Sequence, residues 1–399
     1  MEIKKAATAG TLESSDCMVT VEPGEGKIDF SLESSVIHQY GNQLRKVALE
    51  TLKNLDIDNV RITIVDKGAL DCTLKARIEG AVFRSVDQYD ESALGRCHSM
   101  NNPNKKRLRR TMMFLNAQKP GLIKDPYIYK ADSLMLDLED AVAENQKDVA
   151  RFSLYHALKT VDYRGAERVV RINGLDTPYW REDIRACVAG GCDSIRIPKT
   201  EHAEDVRRVA AAIAEDEKTY GRPEGEVLII AALESARGVM NALEICESDE
   251  RLFGIALSGG DYTKDLQTHI TGTGIELMGA RQQMIIAARA AGVQCFDTVY
   301  TDLKDMDGFR KDVENIHLMG FDGKSIINPR QIPIVHEIFT PTQKDIIFAE
   351  KVVKEIDSKK ALGIGVFTVD GKMIDIAFYD GAKRTIDLAK ASGVYKGDL

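Results

Sequence analysis

The 399-residue chain has no apolar stretch long enough to cross a bilayer, and Met1 to Leu12, which carries Lys4 and Lys5, holds no apolar run of signal-peptide length. A membrane or secreted location is therefore not expected, and the cytoplasm is. Positive charge is not in excess: 54 Lys and Arg against 62 Asp and Glu leave a formal net charge of -8. That balance argues against a nucleic-acid partner, although local arginines can still hold small anionic substrates. The seven cysteines include no CxxC pair, and Cys187 with Cys192 has no second ligand pair, so reduced thiols fit better than disulfides or zinc. The seven histidines form no HxH or HExxH pattern, which lowers a zinc reading further. No GxGxxG or GxxxxGKS follows an apolar run, so neither common nucleotide-phosphate loop is expected.

What is present fits a folded protein of two units. A hydrophobic share of 44% and a charged share of 29% supply a substantial core. At this length more than one core is the natural expectation, although a barrel alone can occupy about 250 residues. Apolar and polar residues alternate over Met18 to Glu22, Val60 to Val65 and Cys72 to Ile78, which predicts three short half-buried strands. Leu44, Val47, Ala48, Leu52 and Leu55 fall at helical spacing between them. Together they predict a small α+β unit over 1–85. A polar, aperiodic stretch follows, with Asn101-Asn102-Pro103-Asn104 near its end, and predicts a linker over 86–104.

From Lys105 onward the rhythm becomes strand then helix. Apolar runs at Thr111 to Leu115, Leu134 to Leu138, Arg168 to Ile172, Ser194 to Ile197, Leu228 to Leu233, Leu252 to Leu257, Val293 to Val299 and Lys324 to Ile327 predict strands buried on both faces. Segments such as Ala203 to Thr219, with Val206, Val209, Ala210 and Ile213 on one stripe, predict amphipathic helices between them. Eight such units predict an α/β fold, a closed (β/α)₈ TIM barrel over 105–345, with a C-terminal helix and a mobile lid segment over 346–399. An open doubly wound sheet is the alternative, because strand order is not written in one sequence.

In such a barrel the chemistry sits at the carboxyl ends of the strands. The predicted strands end in Asp137, Glu139 and Asp140, then Arg171, Lys199, Glu234, Asp261 and Asp297. Each alone is equally a solvated loop charge or a helix N-cap; six successive strands ending so point to a site. Glu234 and Asp261 stand on neighbouring strands with no histidine or cysteine close in sequence. Oxygen-only ligation of that kind suits Mg²⁺, which takes one or two carboxylates and leaves the other positions to water and substrate. The competing reading of Glu234 is an N-cap-like role before the helix near Ala236. Arg171 can grip a carboxylate or stabilise an enolate oxygen.

Leu136-Asp137-Leu138-Glu139-Asp140-Ala141-Val142, Val170-Arg171-Ile172-Asn173, Ile197-Pro198-Lys199, Ala232-Leu233-Glu234-Ser235-Ala236, Asp261-Tyr262, Gly323-Lys324 and Asn328-Pro329-Arg330-Gln331, in that order, resemble the citrate lyase beta subunit from about Arg107 onward. Ala9-Gly10-Thr11-Leu12-Glu13-Ser14-Ser15-Asp16 and Asp66-Lys67-Gly68-Ala69-Leu70-Asp71-Cys72 resemble the citrate lyase acyl carrier protein, the gamma subunit, over about 1–85. The resemblance implies a carbon–carbon lyase that cleaves a citryl thioester on the carrier to oxaloacetate and an acetyl thioester. It implies Mg²⁺ on Glu234 and Asp261, supported from behind by Asp137 and Asp140. Arg171, Glu139 and Asp375 are then expected to be catalytic, with Arg171, Glu234, Lys199 and Arg110 binding substrate. Asp375 would shuttle a proton from a lid over a neighbouring subunit's site, with Asp370 and Asp380 as close competitors. Ser14, otherwise a turn or cap serine, is implied to carry a covalent phosphoribosyl-dephospho-CoA arm of the phosphopantetheine type.

The implied partners are a citrate lyase alpha subunit acting as CoA-transferase, further copies of this chain in a homo-oligomer, and transiently a prosthetic-group transferase and an acetate ligase. Two features depart from the family pattern: Met112-Met113-Phe114-Leu115-Asn116-Ala117 stands where Pro-Gly-Asn is common, and Gly260 stands where a glutamate is common. The alternatives are a lyase for free malyl-CoA or citramalyl-CoA, and a non-catalytic carrier and assembly subunit.

Overall fold

The structure, a computed structural model, describes residues 1–88, 105–361 and 366–399. The linker expected over 86–104 lies, from residue 89 on, outside the described residues.

The N-terminal unit runs β1 (Ala7–Ala9), β2 (Cys17–Pro23), β3 (Ile28–Ser34), α1 (Ile37–Asn54), β4 (Val60–Asp66) and α2 (Asp71–Ser85). Its sheet has the order β1-β2-β4-β3, and the parallel pair β3 and β4 is the one joined by a helix. Val19 and Val21 of β2 and Val60, Ile62 and Ile64 of β4 alternate inward, where they share a core with Leu44, Val47, Ala48 and Leu52 of α1. Each such side chain contributes on the order of 1.5–3 kcal/mol by leaving water.

Residues 72–78, expected as a strand, lie inside α2. The alternation that suggested a strand is a by-product of burial on two sides. Leu74, Ile78, Ala81 and Val82, spaced for a helix, enter the core of the unit. Arg77 and Gly80 face the other way, onto the barrel. Gly80 permits that approach, since a Cβ there would meet Val149 Cγ2 at 3.0 Å.

The rest of the chain continues β5 (Thr111–Asn116), α3 (Pro120–Ile123), β6 (Ser133–Asp137), α4 (Lys147–Thr160), β7 (Glu167–Arg171), α5 (Trp180–Gly190), β8 (Ser194–Ile197), α6 (Ala203–Tyr220), β9 (Leu228–Leu233), α7 (Ala236–Met240), α8 (Ala242–Cys246), β10 (Leu252–Leu257), α9 (Gly259–Asp265), α10 (Met278–Ala291), β11 (Gln294–Asp297), α11 (Met306–Met319), β12 (Gly323–Ile326), α12 (Ile332–Phe339), α13 (Gln343–Ala361), β13 (Val366–Val369), β14 (Lys372–Asp375) and α14 (Phe378–Ala391). Strands β5 to β12 pair in parallel with their neighbours, and β12 pairs back to β5 through Lys324↔Thr111, Ser325↔Met112 and Ile326↔Met113. The ring is closed, which rules out the open sheet.

Successive strand residues point to opposite faces, so every second residue fills the barrel. Its interior is layered. At the amino-terminal end Arg109 forms a two-pronged ion pair with Glu167, donates to Gln294 Oε1 at 2.6 Å and lies over the Phe253 ring; Ser133 Oγ donates to the same Glu167. The middle is apolar, with Met112, Met135, Val169, Ile230, Phe253 and Phe296. The carboxyl-terminal end is polar again. Outward-facing residues such as Ile195, Ile197, Ala231 and Leu233 pack under the helices in the largest core of the chain.

The N-terminal unit is seated on α4 beside the carboxyl-terminal rim. Arg77, fully buried, donates to Asp16 through Nε at 2.7 Å and Nη2 at 2.9 Å, to Ser153 Oγ, and to the Gln118 carbonyl. Arg84 pairs with Asp148, His156 with Glu79, and Val149 of α4 joins the N-terminal core. The C-terminal elements form a separate small core around Val352, Val353, Val369, Ile374 and Ile386. Arg384 ties them to Asp322, just before β12, at the amino-terminal rim.

Candidate active site at the carboxyl rim of the barrel

Asp137 and Arg171 are the last residues of adjacent strands β6 and β7 and lie in register. Asp137 takes both Nε and Nη2 of Arg171 at 2.7 Å and also accepts the backbone N–H of Glu139. Arg171 is thus clamped, and burial, opposed by Asp137 and then Glu139, leaves it firmly charged. Its Nη1 lies 2.8 Å from Glu139 Oε2, and Lys199 Nζ lies 2.9 Å from Glu139 Oε1. Each oxygen of the buried Glu139 carboxylate thus faces a cation. Asp140 is peripheral, 3.9 Å from Arg171 and exposed. Lys147 holds this loop from beneath by donating to the carbonyls of Leu138 and Glu139. Lys199 itself adopts left-handed backbone, φ 49, the kind of strain that clusters at functional sites.

Glu234 follows β9, almost wholly buried. The N-cap of α7 is Ser235, whose Oγ accepts from Gly238 N, so Glu234 has no capping duty. Its Oε1 accepts from Ser258 Oγ at 2.9 Å, and its Oε2 has no hydrogen-bond partner. Burial, and next the negative charge of Glu139, raises its pKa to about 7. A carboxylate so placed is short of positive charge. Asp261, in the first turn of α9, lines a groove of about 740 Å³ together with Glu234 and Lys199, and also lines a mouth cavity of about 430 Å³ with Asp137 and Arg171. Among the described residues no cluster of three or more His, Cys, Asp or Glu is close enough to enclose a metal by itself. Two carboxylates with an unused oxygen suit a hard cation that keeps water or substrate on its other positions, and suit zinc poorly. A side chain at Gly260 would meet open space rather than a clash.

Sequence reasoning missed Arg196. It lies mid-strand in β8, points into the barrel, and is 1% exposed. The usable signal was a charged residue inside the apolar run Ser194-Ile195-Arg196-Ile197.

Other expected site residues lie elsewhere. Arg110 precedes β5, donates to Asp132 at 2.9 Å and to Thr340 Oγ1 at 2.8 Å, and so belongs to the opposite rim. It is corrected from a substrate-binding to a structural residue, because a charge before a strand faces the amino-terminal end. Asp297 ends β11 but points outward into an ion cluster with Arg281, Lys324 and, through both of them, Asp312. Asp375 accepts from Ala377 N in the C-terminal hairpin and lines neither cavity. Ser14 is exposed in the turn before β2. That turn is pinned on both sides: Asp16 is held by Arg77, and Ser15 Oγ accepts from Lys124 of the barrel at 3.2 Å.

Residues 110–329 match the family model described as HpcH/HpaI aldolase/citrate lyase, and residues 4–85 match the acyl-carrier model described as malonate decarboxylase delta subunit. The chain is 49% identical over 289 residues to citrate lyase subunit beta of Leuconostoc mesenteroides subsp. cremoris, covering 72% of this chain and 96% of that protein. It is 43% identical over 290 residues to the Escherichia coli K12 citrate lyase subunit beta, with coverages of 73% and 96%. A (3S)-malyl-CoA thioesterase of Cereibacter sphaeroides is 34% identical over 286 residues, with coverages of 72% and 96%. Among solved structures, CitE from Mycobacterium tuberculosis in complex with magnesium, acetoacetate and coenzyme A superposes with a TM-score of 0.59 at 27% identity, covering 72% of this chain and all of that one.

Proposed function

Because the chain belongs to the HpcH/HpaI aldolase/citrate lyase family and carries an acyl-carrier-like unit ahead of its lyase barrel, we propose that it cleaves a citryl thioester carried on Ser14 to oxaloacetate and an acetyl thioester. The observation that carries this reading is the buried Glu234 oxygen without a partner, beside Asp261, at the rim against which the Ser14 turn is pinned.

In the reaction the proton leaves the tertiary hydroxyl, the adjacent carbon–carbon bond breaks, and its electron pair passes to the thioester methylene as an enolate. Protonation of that carbon completes the acetyl group. Glu234 and Asp261 would hold Mg²⁺, which would supply positive charge against the hydroxyl oxygen as it becomes anionic. Arg171, fixed by Asp137, keeps its cationic field on the reacting centre without having to reorient. Glu139 and Lys199 set the local charge balance beside it. Asp375 shuttles the proton from a second copy, since within its own chain the hairpin belongs to a unit tied to the far rim. Met373, Ile376 and Phe378, exposed on or next to that hairpin, give a second copy an apolar surface to cover. The site thereby depends on a homo-oligomer, and loading of citrate onto the arm on a CoA-transferase alpha subunit.

The likeness to a malyl-CoA thioesterase supports a second reading, action on free CoA thioesters. The carrier unit seated at the same rim favours the first. Intact-mass measurement of the natively expressed chain should find Ser14 modified, and citryl-CoA with Mg²⁺ should release oxaloacetate. An unmodified Ser14 together with no Mg²⁺-dependent release contradicts the proposal.

A further inference from the structure

Among the described residues four cations, Arg77, Arg109, Arg196 and Lys324, are buried essentially completely. Three have a carboxylate in contact: Asp16 for Arg77, Glu167 for Arg109 and Asp297 for Lys324. Among the described residues Arg196 has none at ion-pair distance. Its Nη2 donates to Ser258 Oγ at 3.1 Å, its Nη1 points to Ser325 Oγ at 3.5 Å, and its Nε has no partner at all. Beneath it is the Phe114 ring, 5.3 Å away, which the Arg171 guanidinium also faces at 5.0 Å. A second cation therefore stands nearby, but that one is neutralised by Asp137 and Glu139. Burial and then Arg171 lower Arg196 only to about 10, so it remains charged at neutral pH. The negative charges of Glu234, Asp137 and Glu139 act on it only without contact; a buried guanidinium with no carboxylate in contact is costly, and an anion seated against it would relieve that cost.

The anion has a defined place. Arg196 lines the mouth cavity with Asp261 and Arg171. The Ser258 hydroxyl accepts from Arg196 and donates to Glu234, so one hydroxyl separates this cation from the proposed metal ligand. A substrate whose hydroxyl and adjacent carboxylate sit at Glu234 and Asp261 would carry its third substituent toward Arg196. In a citryl thioester that substituent is a carboxymethyl group; in citramalyl it is a methyl, and in malyl a hydrogen. We propose, resting on the lyase reading of this mouth, that Arg196 binds the carboxymethyl carboxylate and so selects citryl over smaller 3-hydroxyacyl thioesters. Ser258 and Ser325 are positioning residues that keep the guanidinium edge turned to the cavity.

The two keto-acid products isolate this contact, because oxaloacetate keeps the carboxymethyl group and pyruvate has a methyl in its place. In calorimetric titrations of the full chain with Mg²⁺ present, oxaloacetate should bind at least about tenfold more tightly than pyruvate, the effect of one desolvated ion pair. Arg196→Met should weaken oxaloacetate by that factor or more while changing pyruvate less than about threefold. It should likewise lower kcat/KM for citryl-CoA and spare citramalyl-CoA. Equal affinity of the wild type for both acids, no binding of oxaloacetate, or equal weakening of both by the variant would overturn the assignment. The wild-type ratio stands even if Arg196→Met fails to fold, and Ser325→Ala, expected to lower that ratio, is the milder variant. Loss of all thioester cleavage with the ratio intact would count against the lyase reading and leave Arg196 as the carboxylate site.

Discussion

The two ends of the barrel are both buried and both polar, yet they are finished differently. At the amino-terminal end Arg109, Glu167, Ser133 and Gln294 pair with one another until none of their polar atoms is left over. At the carboxyl-terminal end Glu234 Oε2 and Arg196 Nε keep no hydrogen-bond partner, and Ser258 bridges the two side chains. A fully satisfied network rigidifies a fold, whereas unpaired buried atoms cost stability unless something else completes them. The contrast separates the end that holds the barrel together from the end built to receive a ligand.

The sharpest way to break that contrast is at Glu234. Glu234→Gln should cut Mg²⁺-dependent turnover by on the order of a thousandfold or more, since a ligand to the charge-stabilising cation is lost. The same change should stabilise the metal-free chain. With its pKa raised from 4.5 to about 7, mainly by burial, folded Glu234 keeps a proton that the unfolded chain releases. The cost of burying the anion is absent below about pH 4.5, grows as pH rises, and is complete above about 7. Thermal melts in EDTA should therefore show the variant more stable at pH 8, by on the order of 2–3 kcal/mol, and level with wild type near pH 4.5. A variant less stable at pH 8 would show that the acid is satisfied after all.

The opposite end should respond in the opposite sense. Arg109→Met leaves Glu167 buried and unpaired, and should cost about 3–5 kcal/mol in denaturant unfolding. Where the variant stays folded, its kcat/KM should hold within a few-fold. A large kinetic loss without a stability loss would erase the distinction between the ends. Asp137→Asn, which weakens the clamp on Arg171 but leaves it hydrogen-bonded, should have the smaller kinetic effect, about ten- to a hundredfold in kcat with KM little changed. A rise in KM alone would mean that Arg171 serves binding rather than the reacting charge.

Most of the barrel is legible in the sequence because parallel strands covered on both faces are short apolar runs. Ser194–Ile197, Leu228–Leu233 and Leu252–Leu257 coincide with the expected bounds. The N-terminal unit was less so. β1 has three residues, too few to show a pattern, whereas β3 alternates Ile28, Phe30 and Leu32 with polar residues and was overlooked. Residues 72–78 read as a strand because α2 is buried by its own sheet and by α4, which blurs the helical period. Of the site, residues that end a strand were found by looking for terminal charges. Arg110 entered through the family resemblance instead, and its side chain is taken up by Asp132 at the amino-terminal rim. Arg196 escaped the search because it lies inside β8 rather than after it; a charge within an apolar run marks it as unusual, but its inward direction and depth show that it reaches the mouth.

The most direct test is whether the upper rim takes a divalent ion through these two acids. Calorimetric titration of Mg²⁺ into the full chain in the presence of oxaloacetate should give one ion per chain, and none at the same concentrations for Glu234→Gln or Asp261→Asn. Unchanged binding in both variants, or no binding by the wild type, would contradict the account.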